Sequence, residues 1–407
     1  MEICKKDKCT GCYACVNACS HNCITMAEDE FGKVVPLINE KSCIGCNLCI
    51  KSCPNNIKLE YNHPLHCYAS WITNKSKRKI CASGGIGTIM SEYVIKNNGI
   101  VFGSRYNNDM TPIMSYAQTI DELEKFKGSR YVQSLVGNET LKQVRKFLKN
   151  GRLVLFIGTP CQIAGLKTFL RSDYDNLITV DLICHGVCPT KYFKEEISML
   201  SQKYKLKDIS DIRFRGNDGN NFNLTIWGKN GKKLFPKNNL YERILHLNDL
   251  NQYYITGFLL GISLRENCYT CNYARPERIA DITIGDFIGL GKNIPFNHPN
   301  KNISSVLINT AKGEIFYNKV SINSNELENI ERDYSERLEY APSLKYPYPR
   351  HKLNTLFYKY YLDMGYIPSI QKTLKKHLYK KVSYRIIRLP LNGIRKIEKT
   401  LTNKIKK

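Results

Sequence analysis

The sequence predicts an α+β protein in three parts: a small cysteine-rich module over residues 1–60, an α/β domain with a mainly parallel sheet over residues 61–330, and a linker with a basic helical tail over residues 331–407. Three observations predict it. Eight cysteines between Cys9 and Cys53 form two runs of identical spacing. Apolar strand-length and helix-length segments alternate from Glu139 to Tyr204. After Ile370 an apolar stripe recurs at every fourth residue among lysines and arginines.

The first run, Cys9, Cys12, Cys15 and Cys19, reads C-x2-C-x2-C-x3-C, and Cys43, Cys46, Cys49 and Cys53 repeat it 34 positions later, followed by Pro54. This is an internal duplication. The spacing is that of the bacterial two-cluster ferredoxin module, in which three thiolates of one run and the fourth of the other hold each 4Fe-4S cube. On that pattern Cys9, Cys12, Cys15 and Cys53 hold one cluster, and Cys43, Cys46, Cys49 and Cys19 hold the other. A short loop with a cysteine at every third residue aims three sulfurs at three iron corners. Tetrahedral zinc takes two separated C-x2-C pairs and leaves the third cysteine unused. A disulfide framework fits poorly too: 17 cysteines in 407 residues is a modest density, and the first residues do not read as a secretory signal. Such clusters need a reducing compartment, so a cytoplasmic setting is expected. Ser20 stands where the pattern usually has proline. Cys23 occupies the place of Ile57 in the second repeat and reads as a small core residue, and Cys4 has no expected role.

With 42% hydrophobic residues the chain can build a core, and no apolar run approaches the ~18 residues that span a bilayer. The formal charge of +25 is uneven: Ile370–Lys407 holds 13 Lys/Arg against one acid, Glu398, and so carries +12 of it. Such a surplus suits an acidic partner, a phosphorylated cofactor or an anionic membrane. No nucleic-acid partner is expected, because no helix-turn-helix, finger or RNA-binding signature accompanies the charge.

Within the module, Phe31–Ile38 reads as a strand-like connection. His66–Thr73 reads as a strand and Asn74–Lys79 as a basic turn. Ser83-Gly84-Gly85 then opens a helix-length apolar segment to Asn98, and Gly99–Ser104 is strand-like. A glycine turn feeding a helix N-terminus suits a phosphate, since free N–H groups point outward there; this one is neither G-x-G-x-x-G nor a P-loop. Thr119-Ile120-Asp121-Glu122 is a capping box. Lys127 to Ser134 mixes cation, aromatic ring and small polar groups, which fits a surface loop or a cofactor-holding segment equally. Leu141–Lys149, Gln162–Leu170 and Lys191–Tyr204 read as helices around strands Leu153–Ile157 and Leu177–Ile183. Such alternation predicts a parallel sheet whose ligands sit beyond the carboxyl ends of its strands.

Both of those strand ends carry a cysteine, Cys161 and Cys184, and a further C-x2-C stands at Cys268 and Cys271. Together these four thiols predict a third 4Fe-4S site. Cys188, one helical turn past Cys184, is an alternative ligand, while Cys67 and Cys81 read as structural. Phe222–Trp227 and Lys232–Phe235 suggest a hairpin excursion. Ala280–Phe287 and Ser304–Asn309 are strand-like, and Tyr334–Pro349 is a linker or packing strap. In the tail, Ile370, Leu374, Leu378, Val382 and Ile386, then Ile394, Ile397, Leu401 and Ile405 after Pro390, form a basic amphipathic pair. Two readings stay open: residues 370–407 lie on an anionic membrane at its inner face, or they dock on the protein body.

These residues resemble the coenzyme F420 hydrogenase/dehydrogenase beta-subunit family over roughly residues 1–300. The likeness rests on the cysteine repeats, Ser83-Gly84-Gly85, Lys127-Gly128-Ser129-Arg130-Tyr131 with Gln133-Ser134, Gly158-Thr159-Pro160-Cys161-Gln162, Asp181 through Cys184-His185-Gly186, the Cys268/Cys271 pair, and Ala280 to Asp286. The resemblance implies a noncovalent FAD in the α/β domain beside the third cluster. Ser83, Gly84, Gly85, Lys127, Ser129, Tyr131, Gln133, Ser134, Thr159 and Pro160 are then its candidate contacts. Family members act on a deazaflavin coenzyme, a chlorophyll derivative or other partners. The expected function is an FAD- and 4Fe-4S-dependent oxidoreductase exchanging electrons with ferredoxin or another redox protein and with a small-molecule redox substrate. The alternative is a non-catalytic electron-transfer subunit of a larger complex. A radical enzyme would want C-x3-C-x2-C, which no cysteine set here has. No catalytic acid or base is assigned: His185 tunes a cluster or packs, and Asp286 contacts a ligand or caps a turn.

Overall fold

A computed structural model describes residues 2–216, 222–236, 252–297, 302–380 and Ser383. The duplication is visible in the backbone. Gly11 and Gly45 are both left-handed (φ 59° and 69°), as are Tyr13 and Asn47 (φ 62° and 58°). From those matched turns start the short helices Ala14–Ala18 and Leu48–Lys51. Between the repeats, β1 (Ile24–Glu28) pairs antiparallel with β2 (Val34–Ile38).

The second part is built on one eight-stranded sheet. Its strands are β3 (His66–Ile72), β4 (Ile100–Tyr106), β5 (Pro112–Ala117), β6 (Val154–Gly158), β7 (Leu177–Leu182), β11 (Ile282–Asp286), β12 (Ser304–Ile308) and β13 (Leu327–Glu331), in the spatial order β13-β3-β12-β11-β7-β6-β4-β5. The predicted parallel run is its centre: β4, β6, β7 and β11 are parallel neighbours. Antiparallel strands flank it, β5 on one side and β12, β3 and β13 on the other. A separate three-stranded sheet of β8 (Ile209–Arg213), β9 (Thr225–Gly228) and β10 (Lys233–Phe235) extends the predicted hairpin by one strand.

The central strands are apolar at consecutive positions because both faces are covered. Ile100, Phe102, Val154 and Phe156 join a core with helices Thr140–Lys149 and Pro160–Leu170 and with the cysteine-rich module. Their alternates Val101 and Leu155 join the opposite core, under helices Ile86–Lys96 and Ala311–Ile322. One buried polar knot ties β7 to β11: the Arg278 guanidinium meets the Asp181 carboxylate at 3.0 Å, and Thr283 Oγ1 donates to the same carboxylate at 2.5 Å. Asp181 therefore serves the sheet.

Two local expectations are corrected. The basic turn Asn74–Lys79 is a short helix, Lys75–Lys79, capped by the Asn74 side chain. The strap after Tyr334 contains helix Tyr334–Glu339 and a 3-10 turn, Pro342–Leu344. Helix Asn354–Met364 is followed after Gly365 by a helix running through 366–380. Ile370, Leu374 and Leu378 on that last helix are buried in a core with Tyr192, Tyr254 and Tyr366. Over these residues the apolar stripe docks on the protein body, so the membrane reading has no apolar face left there. Val382, Ile386 and the stripe from Ile394 to Ile405 lie outside the described residues. Among the described residues no helix is long and apolar enough to cross a membrane.

Candidate functional site

Folding sorts the cysteines into three groups. Cys9, Cys12, Cys15 and Cys53 are all buried. Burial, opposed by the Ala14 N–H and reinforced by the charges of Cys9 and Cys53, pushes Cys12 up to about 12. Cys49 lies beside Cys19 and Cys43 in the second group, whose Cys46 is exposed at the surface next to Ile44. The third group joins distant parts of the chain. Burial first, then the charges of Cys268, Cys161 and Cys271, pushes the Cys184 thiol well up. Burial and the Cys161 charge likewise push Cys271 up to about 12. Burial and neighbouring thiolate charge thus raise Cys184, Cys268 and Cys271 together. Bound iron would offset that cost, since it deprotonates its thiol ligands. Among the described residues no three Cys, His, Asp or Glu side chains converge tightly enough for a single metal ion, whereas a cube spreads its four sulfurs over separate corners.

Cys188 does not belong to that group. It is fully buried in an aromatic core and its thiol meets Ser263 Oγ at 3.4 Å. Cys4 and Cys23 turn out to touch the module's own thiols. Cys23 Sγ is 3.3 Å from Cys19 Sγ, and the Cys4 thiol, set against Cys9 and Cys53, holds Cys9 down to about 6.

Cys161, Cys184, Cys268 and Cys271 line a small cavity of about 50 Å³. Its wall, at Thr159, Cys161, Cys184 and Arg265, is shared with a cavity of about 470 Å³, within the usual range for small-molecule sites. The larger cavity lies beyond the carboxyl ends of β4, β6, β7 and β11, lined there by Ser104, Gly158, Ile183 and Asp286. Of the ten candidate contacts, Ser83, Gly85, Lys127, Ser129, Tyr131, Gln133, Ser134 and Thr159 line it, and Gly84 and Pro160 do not. A Cβ on Gly84 would stand 2.3 Å from the Ser70 carbonyl oxygen, so sheet packing requires that glycine. Pro160 borders the small cavity, as the first residue of its helix.

Several groups around the larger cavity suit a polar ligand. No side chain caps helix Ile86–Lys96, and Gly85, Ile86, Gly87 and Thr88 at its start line the space. The Gln133 amide is buried with neither its oxygen nor its nitrogen hydrogen-bonded, and Arg337 Nη1, Arg265 Nε and Thr10 Oγ1 are likewise unpartnered. The Tyr131 ring stacks on Phe258 at 5.0 Å. Arg130 is spent locally, donating to the carbonyl oxygens of Lys125, Phe126 and Lys127.

The two residues whose roles the sequence left open are now placed. His185 packs between Phe258 and Tyr348, its Nε2 lies 3.0 Å from the Phe258 carbonyl oxygen, and burial lowers its pKa. Asp286 forms a two-pronged pair with Arg215 at 2.7 and 2.8 Å. Burial opposes its charge, but the Arg215 guanidinium holds the carboxyl below its ordinary range. Sequence reasoning missed Arg215, Arg265 and Arg337. Arg213-Phe214-Arg215-Gly216 was visible as a basic stretch, with nothing to mark its acidic partner 71 residues on.

Comparison with known proteins matches two parts of the chain to described families. Residues 8–57 match the family described as 4Fe-4S dicluster domain. Residues 151–333 match the family described as the C terminus of the coenzyme F420 hydrogenase/dehydrogenase beta subunit. Among solved structures, a chain of the F420-reducing NiFe hydrogenase complex from Methanosarcina barkeri is similar at 16% identity, with 79% of this chain and 95% of that chain covered and a TM-score of 0.43. No curated protein matches the chain.

Proposed function

We propose, from the matches of residues 8–57 to a 4Fe-4S dicluster domain and of residues 151–333 to the C terminus of coenzyme F420 hydrogenase/dehydrogenase beta subunits, an iron–sulfur flavoprotein oxidoreductase. In this reading Cys9, Cys12, Cys15 and Cys53 hold one cluster, Cys19, Cys43, Cys46 and Cys49 a second, and Cys161, Cys184, Cys268 and Cys271 a third. FAD occupies the larger cavity. One observation carries the reading: the third group of thiols shares a wall with that cavity. Bound FAD supplies two-electron exchange with a small molecule and one-electron exchange with iron–sulfur centres.

The chain's own residues have definite parts. The uncapped N–H groups at the start of helix Ile86–Lys96 receive phosphate oxygens. Arg337, whose Nη1 is unpartnered, brings positive charge to the same cavity, Lys127 lines it while paired with Glu124, and the Gln133 amide gains the partners it lacks. Met114, Leu123, Phe126 and Ile157 close the wall against water. Arg215 and Asp286 neutralise each other at the strand ends, so neither is assigned as an acid or base.

A second reading, an electron-transfer subunit without a substrate of its own, is favoured by the surface position of Cys46 beside Ile44, which is 66% exposed. Such a face suits a protein redox partner. Anaerobic purification, flavin release and an iron count separate the two. About one FAD and about twelve iron atoms per chain support the flavoprotein. No flavin after reconstitution with FAD leaves the electron-transfer subunit.

A further inference from the structure

Two cations are buried where the dicluster domain meets the α/β domain, and among the described residues no carboxylate forms a direct ion pair with either. Arg265 is 2% exposed and Lys33 is 5% exposed. The Arg265 guanidinium donates to the carbonyl oxygens of Thr10 at 2.9 Å and Cys9 at 3.3 Å, and its Nε has no partner. Lys33 Nζ donates to the carbonyl oxygen of Lys6. Burial and the neighbouring Arg265 cation lower the Lys33 pKa, against the smaller opposing effects of Cys9, Asp29 and Asp7. Carbonyl oxygens solvate a cation without neutralising it. A charge out of water is costly unless an opposite charge stands near, and two like charges side by side make the cost larger. Asp29 and Asp7 act on Lys33 from a distance, but the acid next to Arg265 does not serve it: Arg265 opens the turn Glu266–Cys268, and Glu266 is turned outward to Arg350.

The position of Arg265 supplies the missing anions. Its side chain reaches the backbone of ligand Cys9, while its own carbonyl accepts the Cys268 N–H at 2.9 Å. It lines both the small thiol cavity and the larger one. A thiolate-ligated cube is a net anion, and reduction adds one more negative charge. Resting on the three-cluster reading above, we propose that Arg265, supported by Lys33, is the shared counter-ion of the Cys9 cluster and the Cys161/Cys184/Cys268/Cys271 cluster. Its charge favours the reduced form of each and holds the two domains in register. Gly11 shows how closely the parts fit: a Cβ there would stand 3.3 Å from Arg265 Nη2 and 2.6 Å from Gln133 Nε2.

The test uses full-length protein reconstituted anaerobically, with Arg265→Gln and Arg265→Lys beside the unsubstituted chain. Iron and sulfide are counted, and midpoint potentials are read by EPR-monitored titration. The glutamine variant is expected to shift at least one cluster signal to lower potential, with the lysine variant staying near the original value. A glutamine variant that fails to load iron where the lysine variant loads it also supports the counter-ion role. Unchanged potentials in a fully loaded glutamine variant overturn it. So do equal shifts, or equal failure to load, in both variants, since shape and not charge would then matter. Eight iron atoms in the unsubstituted chain would remove the third cluster by itself. The Arg265 shift would then be read on the dicluster signals alone.

Discussion

Serine at Cys184 and at Cys188 separates a proposed cluster ligand from a packing residue four positions on. Cys184 faces Cys161, Cys268 and Cys271, so Cys184→Ser should drop iron from about twelve to about eight atoms per chain. Cys188 is fully buried among Tyr192, Phe193 and Tyr254. Its substitution should leave iron unchanged and act on stability. A hydroxyl there is harder to desolvate than a thiol, at a cost of about 1–3 kcal/mol, partly offset by a hydrogen bond to Ser263 Oγ, now 3.4 Å from the sulfur. At about 2–4 °C per kcal/mol for a domain of this size, the melting temperature should fall by roughly 2–10 °C. The assay is iron and acid-labile sulfide per chain, with thermal unfolding of the same preparations. Loss of about four iron atoms in Cys188→Ser with full loading in Cys184→Ser would refute the assignment.

Gly165 lies on the helix that packs against the first cysteine run, and a Cβ there would stand 2.7 Å from Cys12 Cβ. Alanine in place of helical glycine normally gains up to about 1 kcal/mol. Here overpacking of about 1–3 kcal/mol should reverse the sign, and urea midpoints with iron loading would show it. Arg215→Met strands the Asp286 carboxylate, whose side chain keeps 27% exposure. The expected loss at neutral pH is about 3 kcal/mol, the low end for breaking a buried pair. Because the paired carboxyl is held below its unfolded value of 3.8, that contribution is present above about pH 4 and fades as pH falls through the folded value. The difference between the two proteins should shrink with it, and a constant difference from pH 7 to pH 3 would contradict the pairing. Leu374→Ala should cost about 2–5 kcal/mol, since the side chain is fully buried. A stability unchanged within error would return the tail to the membrane reading.

What could be read from the chain alone was local. The cysteine spacing dictates which sulfurs a short loop can aim at one cube, and the backbone duly repeats its left-handed turns at Gly11 and Gly45, Tyr13 and Asn47. The strand–helix alternation located β6 and β7, because a strand covered on both faces is mostly apolar along its length. β3 and β12 were legible as strands, but their antiparallel pairing, and β5 and β13 altogether, were not, since pairing direction depends on which segments meet. The stripe at Ile370, Leu374 and Leu378 showed an amphipathic helix and not what covers it; periodicity is a property of one segment, and burial of two.

The same limit governed the site. Cys161, Cys184, Cys268 and Cys271 could be proposed together from their residue type, but their convergence, and the exclusion of Cys188, came only with the fold. Arg215 with Asp286, and Arg265 between Cys9 and Cys268, left no mark in the sequence, because a charge is tied to its partner by distance in space and not by spacing along the chain. Local stereochemistry is written residue by residue and determined the cluster-binding loops. The long-range electrostatics that surround them were decided by the tertiary structure.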